Sequence, residues 1–214
     1  MIRIGVTQRV INVPGINEKR DSLDQRWTNF LTELGFLPIM LPNRIKDIEK
    51  YLSELEIKGV LLTGGEDILE YATEEAANPE RDRLEHALIE YCIALDLPMI
   101  GICRGFQSIL NHFGGRLQSI ENHVAVRHMI KTTKSLVPNY DKKIDVNSFH
   151  NLGILERDLP QNFQAMAWAT DGTIEAAAVQ NHNILGIMWH PEREEFTAEW
   201  DKVIFTQIFG GINS

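Results

Sequence analysis

The sequence predicts an α/β fold, a mostly parallel central sheet with helices on both faces and a C-terminal antiparallel extension. Three observations predict it. Short apolar runs alternate with stretches of helical periodicity up to about residue 115, as βαβ units require. The third and fourth runs end in glycine-rich turns, Gly64-Gly65 and Gly101-Ile102-Cys103-Arg104-Gly105. Beyond residue 115 the runs shorten and are separated by turn residues such as Asp171-Gly172, which suits antiparallel strands.

In order along the chain, "IRIGV" (2–6) reads as a first strand, followed by a polar loop. Leu23, Trp27, Phe30, Leu31 and Leu34 recur at helical spacing, with Ser22 or Asp21 as the cap and Gly35 as the stop. "FLPIML" is a second strand, Ile45 to Leu55 a second helix, and "GVLLTGG" a third strand. A long helix spans Pro79 to Leu95, "PMIGI" is the fourth strand, and a further helix begins near Arg104. "AMAWAT", "IEAAAV" and "ILGIMWH" read as the antiparallel set, and Phe196 to Phe209 as a closing amphipathic helix. In open parallel sheets ligands bind beyond the carboxyl ends of the strands. That rule gathers Thr7–Arg9, Thr63–Asp67, Cys103–Gly105 and His190–Arg193 on one rim.

The chain has 214 residues, which suits one domain, 1–214, with no linker or repeat. Its net charge of −9 argues against nucleic acid as a partner. No leader precedes "MIRIGV" and no apolar run reaches the roughly 18 residues a membrane span needs, so the expectation is a cytoplasmic protein without a membrane partner. Two cysteines make no disulfide framework, and no His/Cys cluster has metal-ligand spacing. Neither a metal nor another cofactor is expected.

A thiol wedged between glycines at a strand-to-helix turn is either a small buried hydrophobe or a displayed nucleophile. Gly-x-Cys-x-Gly has the mechanics of a nucleophile elbow, whose apex needs neighbours without side chains. Cys103 would then stand at a helix N-terminus that favours a thiolate, with the Arg104 amide facing an oxyanion. Cys92, within a helix and without glycine flanks, fits the buried alternative. "GIMWHPERE" supplies a base: in extended geometry His190 and Glu192 project to one side, with Pro191 stiffening the pair. Together they make a Cys103–His190–Glu192 nucleophile, base and orienter. His112 and His123 have no partner readable from spacing.

The motifs "LLTGGEDI", "GICRGFQ", "VNSFH", "DGTIEA" and "GIMWHPE" resemble, in order and spacing, the class I glutamine amidotransferase superfamily, and within it the γ-glutamyl hydrolase branch. The resemblance runs from Ile2 to about Glu194 and implies a flavodoxin-like sheet with a γ-glutamyl thioester on Cys103. It also implies an oxyanion hole of the Gly65 and Arg104 amides. Gln107, Ser148 and Phe149, with Asn147 and His150, would hold the α-amino and carboxylate end of the glutamyl group. Asn151 and Met188 stand where the polyamine-linked hydrolases usually carry histidine and glutamine. "ENHV", "NSFHN" and "IMWHPERE" are more similar to bacterial hydrolases of γ-glutamyl-CDP-amidate, which release glutamate and CDP-amidate for capsule phosphoramidate decoration.

A diphosphate leaving group calls for guanidinium groups, and Arg9, Arg104 and Arg193 lie on the predicted rim, with Arg81 and Arg83 opening the long helix. Arg104 could instead pair with Asp82 or Glu85. The alternatives are a γ-glutamyl-γ-aminobutyrate-type hydrolase, a glutaminase subunit supplying ammonia to a partner synthetase, and a non-catalytic or redox-sensing protein on the same fold.

Overall fold

The computed structural model describes residues 1–72, 78–138 and 143–210. Ile2–Val6 forms β1. The polar segment after it, expected as a loop, is a hairpin of β2 (Arg9–Asn12) and β3 (Lys19–Ser22). Both strands are largely exposed and carry no apolar face, so hydrophobic pattern could not reveal them. The one local signal is Pro14-Gly15, with Gly15 at φ +79°.

The hairpin also moves the next helix. α1 spans Arg26–Glu33 with Gln25 at its N-cap and no side-chain cap. Neither expected cap serves: Ser22 ends β3, and Asp21 accepts from the Asn43 amide at 3.0 Å and from Asn43 Nδ2 at 2.7 Å. β4 (Phe36–Met40) follows Gly35. α2 (Ile48–Glu54) is capped by Asp47, which accepts from the Lys50 amide. β5 (Gly59–Leu62) precedes α3, whose observed span, Pro79–Leu95, has proline in the first turn, where no helical donor is lost. β6 (Met99–Ile102) leads directly into α4 (Arg104–His112).

The second half contributes β7 (Gln118–Ser119), β8 (Val124–Thr132), β9 (Ile144–Phe149), β10 (Leu152–Gly153), β11 (Phe163–Ala169), β12 (Ile174–Val179) and β13 (Ile184–Ile187). α5 (Glu199–Gly210) begins three residues beyond Phe196, whose ring is left exposed.

Nine strands form one sheet in the order β4-β1-β5-β6-β13-β12-β11-β8-β9. The first five are parallel and the remaining pairs antiparallel. β13, grouped with the antiparallel strands from sequence, is the pivot, parallel to β6 and antiparallel to β12. β8 and β9 are absent from the sequence reading because β8 is mostly exposed and has no clean alternation. One face is covered by α1 and α5 through Trp27, Phe30, Phe205 and Phe209. The other is covered by α3 and α4 through Leu84, Leu88, Phe106 and Leu110. Among the described residues no helix is long and apolar enough to cross a membrane.

Candidate active site

β6 ends at Ile102 and α4 begins at Arg104, so Cys103 alone makes the turn, at φ +49° and ψ −104°. A side chain in this region is strained and persists only where its surroundings hold it. Here the Cys103 amide donates to the Ile187 carbonyl at 2.7 Å, tying the apex to β13. The flanking glycines are needed for space. A Cβ on Gly105 would stand 2.2 Å from the Leu62 carbonyl oxygen, and one on Gly101 2.6 Å from the Gly105 carbonyl carbon. α4 therefore sits end-on against β5, with the Cys103 thiol at its positive end. Cys92 is a contrast: burial pushes its thiol up to about 12, as expected of an inert core sulfur.

The histidine is not presented by an extended strand, as its spacing implied. β13 stops at Ile187 and Pro191–Arg193 closes into a 3₁₀ turn, leaving His190 extended at its entry. The turn folds Glu192 back so that its Oε1 lies 2.8 Å from His190 Nδ1. Burial acts to lower the His190 pKa. The hydrogen bond and charge of Cys103, then those of Glu192, overcome it and hold the imidazole up at about 9. The ring therefore stands between a thiol and a carboxylate with the proton retained. Asn147 fixes the backbone here: its Oδ1 accepts from the His190 amide at 2.9 Å and its Nδ2 donates to the His190 carbonyl at 2.8 Å. Gly64 lies under the ring, where a Cβ would come within 2.6 Å of His190 Cε1.

The Thr63–Gly65 turn is held by a buried ion array. Arg81 donates to the Thr63 and Gly64 carbonyls at 2.6 and 3.2 Å, and to Glu85 at 2.8 Å. Its Nη1 fills the space beside Gly65 and lies 3.1 Å from Glu66. Glu85 also accepts from Arg104 and Ser108, and burial, which would raise its carboxyl, is overcome by Arg104 and Arg81. The Arg104 guanidinium is thus consumed by Glu85 and Asp82 and is buried. The alternative read from the sequence, pairing with Asp82 or Glu85, is the one the structure shows, so the guanidinium is no rim phosphate ligand and its backbone amide is left for the site.

The other sequence-selected residues divide. Phe149 packs edge-on to the His190 ring at 5.8 Å, with the Arg193 guanidinium 4.3 Å over its own ring. Arg193 also approaches Glu192 at 3.6 Å, and half-exposed Arg9 lies 3.9 Å from Glu66. Arg9, Asp24, Trp27, His190 and Arg193 border a recess of about 50 Å³. Gln107, one helical turn after Cys103, is buried and donates to the Leu152 carbonyl at 3.3 Å. Ser148 Oγ donates to the His123 carbonyl at 2.6 Å. His150 does not join the Cys103–His190 group; its ring faces Glu175 instead.

Sequence reasoning missed the Asn147 clamp, the Arg81–Glu85 array and the lining by Asp24 and Trp27. It also missed the partners of His123, which lies near Asp171, Glu175 and the His128 ring. One signal was available for the last, a lone glutamate inside the apolar strand "IEAAAV".

The chain is 34% identical over 210 residues to the γ-glutamyl-CDP-amidate hydrolase of Campylobacter jejuni, an alignment covering 94% of this chain and 98% of that one. It is 26% identical to a γ-glutamyl-γ-aminobutyrate hydrolase of Escherichia coli O157:H7, over 86% of this chain and 84% of that one. The crystal structure of a glutamine amidotransferase from Thermotoga maritima superposes with a TM-score of 0.67 at 14% identity, covering 99% of this chain and 85% of that one, so the two share the α/β fold. Residues 4–192, from β1 to Glu192 itself, match the peptidase C26 family, and the chain belongs to it.

Proposed function

We propose that this chain is a cysteine-dependent hydrolase of γ-glutamyl amide bonds, and that its substrate is γ-glutamyl-CDP-amidate, released as glutamate and CDP-amidate. The observation that carries the reading is the His190 imidazole, bonded to Glu192 at 2.8 Å, with Cys103 at the apex of the β6–α4 turn among the groups that raise its pKa. The 34%-identical Campylobacter jejuni hydrolase supports the choice of substrate.

In this mechanism Cys103 Sγ attacks the γ-carbonyl carbon. The oxyanion is met by the amides of Gly65 and Arg104, at the turn and the helix N-terminus. His190 gives its proton to the departing nitrogen as the C–N bond breaks, leaving a γ-glutamyl thioester and a neutral imidazole. The same imidazole takes a proton from water as the hydroxyl adds to the thioester carbon, and the second tetrahedral intermediate expels the Cys103 thiolate, which is again paired with imidazolium. Glu192 orients the ring throughout. Gln107 and the Asn147–Phe149 segment flank the glutamyl end, and Arg9 and Arg193 at the recess offer guanidinium groups to a diphosphate. The reading describes a single domain that needs no cofactor, in a cytoplasmic protein.

A release assay over glutamine, γ-glutamyl-γ-aminobutyrate, γ-glutamyl peptides and γ-glutamyl-CDP-amidate tests it. The expected result is a kcat/KM for the nucleotide conjugate about 10⁴-fold above the rest, the scale on which a site built to hydrogen-bond its substrate rejects analogues lacking those groups. Equal turnover of γ-glutamyl-γ-aminobutyrate would overturn the substrate. Glutamine turnover that depends on an added synthetase would overturn the stand-alone hydrolase.

A further inference from the structure

A second group of titratable side chains lies where β8 runs on past Ala169, the last residue of β11 and the partner of Ile130. His123 precedes β8, His128 lies in it, His150 follows β9 and Glu175 lies in β12. We propose that His123, His128 and Glu175, whose donor atoms all lie within 4.8 Å of one another, form a binding site for a divalent transition metal of the Zn²⁺ type, with His150 beside it on Glu175.

Distance is the first argument. Glu175 Oε1 lies 3.4 Å from His123 Nδ1, 3.6 Å from His128 Nε2 and 3.6 Å from His150 Nε2. These separations exceed the roughly 2.7–2.9 Å of a charge-assisted hydrogen bond. They approach the edge of a tetrahedron of donors around Zn²⁺, which for bond lengths of about 2.0–2.1 Å is about 3.4 Å.

Satisfaction is the second. His123 Nδ1, His128 Nε2, His150 Nε2 and both Glu175 oxygens are buried and have no hydrogen-bond partner. Glu175 is fully buried and His123 and His150 nearly so. Three ring nitrogens held at ion-pair distance from one buried carboxylate without a well-formed hydrogen bond is an arrangement that needs a positive charge among them, from ring protons or from a bound cation.

Tautomer is the third. The outer nitrogen of His150, Nδ1, lies 3.1 Å from the Leu152 carbonyl, which can only accept, so this nitrogen carries the ring proton. In the neutral ring Nε2 then presents a lone pair to the carboxylate. His123 is tied likewise, its Nε2 lying 2.9 Å from Asp171 Oδ2 and its Nδ1 facing inward. Outer-nitrogen bonds to a carboxylate and a backbone carbonyl are how metal-ligating histidines are oriented. Two imidazoles and one carboxylate suit Zn²⁺ better than an oxygen-seeking cation. His128 is the least buried of the three.

The site would brace the segment that serves Cys103 and His190. Ser148 Oγ bonds the His123 carbonyl, and the Leu152 carbonyl accepts from both His150 and Gln107.

The test is a titration of the chelator-treated full chain with ZnCl₂ against a competing chromophoric chelator, in a Cys103→Ala background so that the thiol cannot bind the ion. We expect one tight Zn²⁺ per chain, a rise in Tm on addition, and with Co²⁺ the visible bands of tetrahedral coordination. Asp171→Asn should weaken binding by about 10–100-fold, as second-sphere changes do, and His128→Ala by more. His128 is part-exposed, so this variant keeps its fold; unchanged far-ultraviolet circular dichroism verifies it. Zn²⁺ affinity equal in the His128→Ala and parent proteins, or a parent Tm indifferent to the metal, would overturn the site and leave protons as what fills the cluster.

Discussion

Two buried imidazole–carboxylate groups share the short segment Asn147–His150, and they use the same side chains to opposite ends. At the first, Glu192 takes one nitrogen of His190 at 2.8 Å and leaves the other for Cys103. The carboxylate there is satisfied by a proton, and in the proposed mechanism it aims the ring. At the second, the outer nitrogens of His123 and His150 are taken by Asp171 and Leu152, and the inner ones converge on Glu175 at 3.4–3.6 Å without hydrogen bonds. Burial would raise the Glu175 carboxyl, and His123, His128 and His150 overcome it; in the proposed site a metal ion takes over that role. Which ring nitrogen is tied, and to what, separates a proton-transfer pair from a ligand set more sharply than residue identity does.

The largest effect that can break this contrast is at sulfur. Cys103→Ala should reduce glutamate release by about 10⁴-fold or more, as loss of a nucleophile does, without loss of Tm. Release that survives the substitution removes the first group from catalysis altogether. Glu192→Gln should lower kcat/KM by about 10²–10⁴-fold, the range of an acid–base contribution. It should also move the pH profile. His190 must hold a proton to release the leaving nitrogen, so kcat/KM falls as pH rises through about 9. Removing the Glu192 charge, one of the influences that raise the imidazole, shifts that falling limb to lower pH. His128→Ala, at the second group, should leave the limb where it is. A limb displaced equally by both substitutions would mean that the two groups titrate as one.

Asn147→Ala probes the segment between them. It strips the His190 amide and carbonyl of their partners, and the cost should be about 1–3 kcal/mol in chemical denaturation. A Zn²⁺ affinity unchanged in the same variant would show that the two groups are mechanically separate, and a weakened one that the segment couples them.

How much of this was legible in the sequence follows from which interactions are local. The β6–α4 turn was readable because Gly101 and Gly105 are required within two residues of Cys103, and the α3 span because Pro79 and an apolar period mark it. The His190–Glu192 pair was readable as a pair but for the wrong reason, since a 3₁₀ turn and not a strand joins them. The histidine group was illegible because its members, at 123, 128, 150 and 175, meet only through sheet order, and β8 is mostly exposed while β9 alternates only over Ile144–Val146. For Arg104 the sequence left two readings open, a phosphate or a partner in Asp82 or Glu85, and only the packing of α3 against α4 shows that both carboxylates hold it.

A third buried carboxylate completes the contrast, with neither imidazole nor cation beside it. Asp201 in α5 accepts from Trp189 Nε1 at 2.9 Å. Burial, reinforced by Glu194 and Glu192 and opposed by that hydrogen bond, raises its carboxyl to about 7. This site meets the problem of a buried charge by keeping the proton. Between about pH 4 and pH 7 the folded chain therefore holds a proton that the unfolded chain has lost, so stability declines as pH rises through that window and levels off above it. Asp201→Asn keeps an acceptor for Trp189 and has nothing to ionise. At pH 8 it should be more stable than the parent by about 1–2 kcal/mol once the stronger bond to an ionised acceptor is set against the gain, and at pH 4 the advantage should vanish. Denaturant midpoints at the two pH values measure it; a gain of the same size at both would mean that Asp201 stays charged in the fold and that its burial is relieved by some other means.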